Sequence, residues 1–202
     1  MIETAIKKGL QGIIITDHDN VKGGLIGKKL AKAYKGFIVI PGVEVTSYSG
    51  HILAIGIDEN IPKNLSVEET VERIHDLGGV AVASHPFSKL VRKSLKGECL
   101  KTDAIEVFNA TNKIGANERA LLFARTNKKP QSAGSDAHWA RNVGDAGIIC
   151  DNPVEDLRKG RAKIFGDYTK RWDLARFMIR KFKRSVKWRI SRERKVHKKN
   201  IF

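Results

Sequence analysis

Cysteine is nearly absent. Cys99 and Cys150 are the only two in 202 residues, too few for a disulfide framework and not spaced as a Cys-x-x-Cys pair. Long apolar runs are missing too: the longest, Ala120–Ala124, spans five residues, against about 20 for a membrane-crossing helix. The first twelve residues include Lys7, Lys8 and Gln11 and lack the apolar centre of a signal peptide. These shortages together predict an intracellular, cytoplasmic protein. Hydrophobic residues still make up 41% of the chain, enough for a core, so wholesale disorder is excluded. The length suits one domain, or one domain with an appendage.

Acidic residues are scarce in only one part of the chain. Residues 1–157 carry 20 Lys/Arg and 19 Asp/Glu, whereas residues 158–202 carry 18 and 3. Nearly all of the net charge of +16 therefore lies in the last quarter. A near-neutral body with a basic end reads as a catalytic or binding domain plus an electrostatic docking element. We place the division at residues 1–166 and 167–202.

Within the body, β-branched runs alternate with helical patterns. Strand-like runs are Gly12–Thr16, Phe37–Val45, His51–Ile57, Gly79–Ser84, Asp103–Asn109, Gln131–Ser135, Ala146–Cys150 and Ala162–Phe165. Helical stretches fall at Met1–Lys8, Gly23–Tyr34, Val67–Leu77, Ile114–Thr126 and Pro153–Lys159. Val67, Val71, Ile74 and Leu77 recur at helical spacing, and Ser66 with Glu69 matches a reciprocal cap. The alternation predicts an α/β fold with a largely parallel sheet.

Histidine placement carries the chemical information. His18, His85 and His138 each follow an apolar run, at its C-terminal end, and His51 opens one, which suggests an antiparallel strand or hairpin after Val45. In parallel α/β proteins the C-terminal strand ends converge on the active site. Imidazoles there, with Asp17, Glu44 and Asp136, offer nitrogen and hard oxygen donors without thiolate, a set suited to Zn²⁺, Mn²⁺ or Fe²⁺. Glu44 can bridge two cations, and Asp136 with His138 places two donors from one loop on one centre. Two metals about 3.5–4 Å apart generate a hydroxide and clamp a phosphate oxygen. His75, between Ile74 and Leu77, and His197, in the basic end, are read as structural and solvent-facing.

Taken in order, Thr16-Asp17-His18-Asp19, Pro41-Gly42-Val43-Glu44, Ser84-His85-Pro86, Ile105-Glu106-Val107-Phe108-Asn109 and Gly134-Ser135-Asp136-Ala137-His138 resemble the motifs of the PHP (polymerase and histidinol phosphatase) family of metal-dependent phosphoesterases. The resemblance covers about residues 1–150. The segment from Gly144 onward resembles the one that follows the core in stand-alone members. It implies a distorted (β/α)7-like, TIM-like barrel holding two or three divalent ions (Mn²⁺, Zn²⁺ or Fe²⁺) at the C-terminal strand ends. His18, Glu44, His51, His85, Asp136 and His138 match ligand positions, with Glu44, Asp136 and His138 central to catalysis. Asp17 would orient a ligand imidazole rather than touch metal. Asn109 and Arg141 would hold substrate phosphate, arginine being suited to a bidentate contact.

The family opens with a His-x-His strand, and this sequence contains no His-x-His. Its first ten residues resemble the middle of the helix that follows that strand. The expectation is an N-terminally incomplete barrel, either through a start assigned too late or through real shortening, in which one metal lacks two ligands.

From Arg171 to Lys195 the chain has no proline or glycine, and Ala175, Met178, Ile179, Phe182, Val186 and Ile190 form one helical stripe. Phe177, Lys181, Arg184, Trp188 and Arg192 fall opposite. Such a helix packs on the body, holds nucleic acid by phosphate contact and stacking, or lies on an anionic membrane. The leading expectation is a hydrolase that cleaves a phosphate ester (small nucleotide, phosphorylated metabolite or oligonucleotide) with a metal-activated water. The alternative is a non-catalytic nucleic-acid-binding protein on the same barrel.

Overall fold

The computed structural model describes residues 1–89 and 93–170, together with Trp172, Asp173, Ala175 and Ile179. The chain divides into two compact units, Met1–Tyr168 and Thr169–Phe202. In the second, the Asp173 N–H donates to the Lys170 carbonyl at 2.9 Å. The expected basic amphipathic helix, Arg171–Lys195, lies outside the described residues, Trp172, Asp173, Ala175 and Ile179 apart. No helix among the described residues is long and apolar enough to cross a membrane. Both cysteines are free thiols.

The first unit runs α1 (Ile2–Lys7), β1 (Gly12–Ile15), α2 (Lys22–Ala31), β2 (Ile38–Thr46), β3 (His51–Ile55), α3 (Val67–Asp76), β4 (Val80–Ala83), β5 (Ala104–Asn109), α4 (Ile114–Thr126), β6 (Gln131–Gly134), β7 (Ala146–Ile149), α5 (Pro153–Arg158) and β8 (Lys163–Gly166). Short 3-10 turns at Lys96–Lys101 and Ala140–Asn142 have no counterpart in the periodicity. The helix starts are set locally. At α3 the Ser66 hydroxyl accepts the Glu69 N–H at 3.1 Å while Glu69 Oε2 accepts the Ser66 N–H at 2.9 Å, which satisfies two otherwise orphaned donors. α2 presents its small residues inward; a Cβ on Gly24 would stand 2.8 Å from the Pro41 Cα, so only glycine allows this approach to β2.

Strands β1 to β6 form one sheet in chain order, and β7 pairs with β8 in a separate antiparallel ladder. The sheet is mixed rather than largely parallel. β3 runs antiparallel to both β2 and β4, and the other pairings are parallel. The reason is local, since four residues separate β2 from β3, far too few for a crossover helix. The seven-stranded barrel expected from the motifs is represented by a curled six-stranded half-barrel, whose hydrogen-bonded ladder ends at β1 and β6. Side chains cross the open side: Ile13 and Ile15 of β1 share a cluster with Ala137 and Val143, and the Lys8 Nζ donates to the Arg141 carbonyl at 2.8 Å.

Period-two alternation separates two apolar layers. Val43, Val45, Ile52, Ala54, Ala81, Ala83, Ile105 and Val107 face α3 and α4. Ile14, Ile40, Leu53, Val80, Val82 and Ala104 face the inside of the curl, where Leu157 of α5 joins them fully buried. Enclosing a side chain of that size contributes about 1.5–3 kcal/mol. Glu44, His51 and Glu106 stand on the inner face by the same alternation, four residues past Ile40, two before Leu53 and two past Ala104. The inner layer therefore forms the floor of the polar site.

Candidate metal centre

Glu44 is the hub. It lies near the C-terminal end of β2, 7% exposed, and its backbone is gripped by the segment after β1: the Glu44 N–H donates to the Asp17 carbonyl and the Asp19 N–H to the Glu44 carbonyl, both at 3.1 Å. This bridge places His18 beside Glu44, with Nδ1 3.6 Å from Oε2. His51 reaches the same carboxylate because β3 runs backwards, so its first residue lies level with the last residues of β2 and β4; its partner across the ladder is Thr46. His85, just past β4, completes the set with Nε2 3.1 Å from Glu44 Oε1. The three rings stack edge to face, His18 on His51 at 5.1 Å and His51 on His85 at 5.3 Å between centroids.

The donor set fits a divalent cation. One ligand atom from each of His18, Glu44 and His51 falls within 4.8 Å of the others. The His51 Nδ1 lies 2.9 Å from Glu44 Oε1, yet outside hydrogen-bond alignment, so this buried nitrogen has no hydrogen-bond partner; the buried His85 Nδ1 has none either. Orphaned imidazole nitrogens beside an ionised carboxylate are costly unless something electropositive satisfies them.

Charge is strongly coupled here. Burial works to raise the Glu44 carboxyl, but His51 and His85 against it, with His18 nearby, hold it well below the usual carboxylate range. Burial alone would lower the His85 imidazole; Glu44, Glu106 and Asp136 outweigh it and lift it to about 9. Burial pushes the Glu106 carboxyl up to about 7, opposed by His85 and Asn109.

A second group stands at the ends of β5 and β6. The Thr111 hydroxyl lies 2.9 Å from Asp136 Oδ2 and 2.7 Å from Asn109 Oδ1, and Asn109 Nδ2 lies 3.4 Å from Asp136 Oδ2. His138 is exposed, with Nδ1 3.0 Å from the Asp136 carbonyl and 3.5 Å from its Oδ1. Arg141 lies farther along, its guanidinium 4.9 Å above the Trp139 ring. The Asp17 carboxylate is turned to the first turn of α2, where its Oδ2 would meet a Cβ on Gly23 at 1.8 Å, and among the described residues it has no hydrogen bond to an imidazole. His75 stands apart and pairs with Asp103 at 2.9 Å.

The structure thus draws His18, Glu44, His51 and His85 into one cluster and Asn109, Asp136 and His138 into another. Sequence reasoning gave no role to Asp19, Thr111 or Glu106. Asp19 accepts both the backbone N–H and the hydroxyl of Thr46, which anchors the His18 loop. Glu106 was the detectable one, a lone acid inside the apolar run Ala104–Phe108.

A curled α/β half-barrel with imidazoles and carboxylates at its C-terminal strand ends is the architecture of PHP-like metal-dependent phosphoesterases, and the similarities agree. A protein of Bifidobacterium adolescentis assigned as a metal-dependent phosphoesterase superposes with a TM-score of 0.61 at 19% identity, covering 79% of this chain and 89% of that one. PsfC of Pseudomonas syringae gives 0.63 at 17% identity, over 92% and 88%. A two-domain Bacteroides vulgatus protein containing a predicted PHP-like metal-dependent phosphoesterase gives 0.64 at 16% identity, over 87% and 62%. Residues 115–161 match the PHP-associated family model. The uncharacterized protein MJ1587 of Methanocaldococcus jannaschii is 38% identical over 135 residues, 66% of this chain and 78% of that protein. A second from the same organism, MJ0417, is 35% identical over 118 residues, 54% and 50%. This chain belongs to the PHP family.

Proposed function

We propose that the chain is a metal-dependent phosphoesterase whose cation site is built around Glu44. The observation that carries this reading is the buried carboxylate faced by three imidazoles, two of which leave a buried ring nitrogen without a hydrogen-bond partner. In it, His18, Glu44, His51 and His85 hold divalent metal, with Asp136 and His138 supplying donors from the neighbouring strand end. A bound cation supplies Lewis-acid activation of water and neutralises phosphoryl charge. Glu44 remains ionised at neutral pH because its imidazole neighbours outweigh its burial. Asn109, a phosphate contact by its motif match, is fully buried with hydrogen bonds on both sides of its amide and serves here to hold Asp136, while Arg141 offers a cationic contact at the rim. Catalytic work in this scheme falls to Glu44, Asp136 and His138.

The substrate in this reading is a small nucleotide, a phosphorylated metabolite or, through the basic residues of 167–202, an oligonucleotide. The test is hydrolysis of a chromogenic phosphate ester and of a nucleotide set after loading with Mn²⁺ or Zn²⁺. Metal-dependent turnover that disappears in Glu44→Gln is expected. Turnover unaffected by chelation, or retained by that variant, would overturn the reading.

A further inference from the structure

One carboxylate in the site is neither a donor in the Glu44 cluster nor exposed to substrate. Glu106, in the middle of β5, is 3% exposed. Its Oε2 accepts the His85 backbone N–H at 2.7 Å and an Asn109 side-chain N–H at 3.0 Å. Its Oε1 faces β6 at Gly134, where a Cβ would stand 2.8 Å away; any side chain there would push the carboxylate aside. Glu106 therefore touches three adjacent strand ends: the second residue after β4, the last residue of β5 and the last residue of β6.

Two residues at these strand ends need holding. His85 has φ +32° and Asp136 has φ +46°, both in the left-handed region that non-glycine residues seldom occupy without support. The His85 amide bonded to Glu106 belongs to one of these residues, and this backbone turn aims the imidazole at Glu44. The other is reached through Asn109, whose amide lies between Glu106 and Asp136.

We propose that Glu106 is a positioning residue that fixes His85 against Glu44 and, through Asn109, sets Asp136, so that the two donor clusters share one geometry. The proposal rests on the metal-site reading above for its consequence, but the placement of His85 is testable without metal. An acceptor oxygen at this position is what matters. Glutamine retains one, whereas leucine, of similar size, removes it and leaves the His85 N–H buried without a partner.

The experiment compares wild type, Glu106→Gln and Glu106→Leu by two measurements. The first is the NMR signals of the His85 backbone amide and imidazole in metal-free protein. The second is Mn²⁺ affinity by calorimetry. The expected result is near-wild-type behaviour in Glu106→Gln, and in Glu106→Leu a displaced His85 amide and ring signal with Mn²⁺ affinity lower by about 10–100-fold, the range for groups that orient metal ligands. His85 signals unchanged in a folded Glu106→Leu would overturn the proposal. If Glu106→Leu does not fold, Gly134→Ala displaces the same carboxylate from the β6 side, and unchanged His85 signals there overturn it equally. Wild-type protein that binds no Mn²⁺ while Glu106→Leu still moves the His85 signals would sink the metal reading and leave the positioning role standing.

Discussion

The His51 ring enters the Glu44 site from a strand that runs opposite to the strand bearing Glu44, and its Nδ1 comes to 2.9 Å from Oε1 of that carboxylate. Reversal of β3 makes this possible. A parallel strand here would carry its first residue to the far end of the sheet, on the side of the apolar floor. A ligand position at the start of a strand is thus as well placed as those at the ends of β2 and β4.

His51 and His75 should separate cleanly. His51→Ala removes a donor from the cluster, and its Mn²⁺ affinity is expected to fall by at least the roughly 10–100-fold seen for groups behind ligands. His75→Ala breaks only the ion pair with Asp103, a surface contact worth about 0–1 kcal/mol, and should bind metal as wild type does. Calorimetric titration of both variants checks this; equal affinities would mean that His51 is not a ligand.

The floor of the site should matter for stability more than for chemistry. Leu157 of α5 is fully buried against Val80, Val82 and Ala104. Leu157→Ala is expected to destabilise the fold by about 2–5 kcal/mol through lost transfer and a residual cavity. Chemical denaturation measures it. A loss below about 1 kcal/mol would show that α5 does not seal the curl.

Acid sensitivity is expected at α5 as well. Asp156 accepts the Asn152 N–H at 3.0 Å, the Arg161 Nε at 2.8 Å and the Asp151 N–H at 2.9 Å. The Asn152 N–H foremost, with Arg161 and Asp151 and against a burial penalty, holds its carboxyl below the ordinary value of 3.8. A lowered folded pKa gives stability at all pH above that ordinary value, lost as pH falls through the folded pKa. Asp156→Asn should therefore show a lower Tm than wild type near neutrality, and the gap should close below about pH 4. A gap unchanged across that range would contradict the assignment.

Much of this was legible in the residues. The isoleucines of β1 and the β-branched runs of β2 and β4 mark strands by composition, and the Ser66–Glu69 cap marks the start of α3, because these signals are local. The position of His51 ahead of its run already implied strand reversal. Glu106 stands out as a lone acid within Ala104–Phe108, but the residues it holds could not be read from that run. Its meaning comes from His85 and Gly134, brought to it by pairing with β4 and β6. The Asp17 side chain turns to α2 for a related reason, as the space it fills exists only because Gly23 has no Cβ. The open curl was similarly hidden, because strand count alone does not say whether β6 pairs onward to β7.

Metal content tests the central claim most directly. Wild type and Glu44→Ala would be loaded with Mn²⁺ or Zn²⁺, freed of loosely held ion, and measured by elemental analysis. The account predicts stoichiometric metal in wild type and its loss in Glu44→Ala with the fold intact by circular dichroism. Equal metal in both, or none in wild type, would contradict a cation site centred on Glu44.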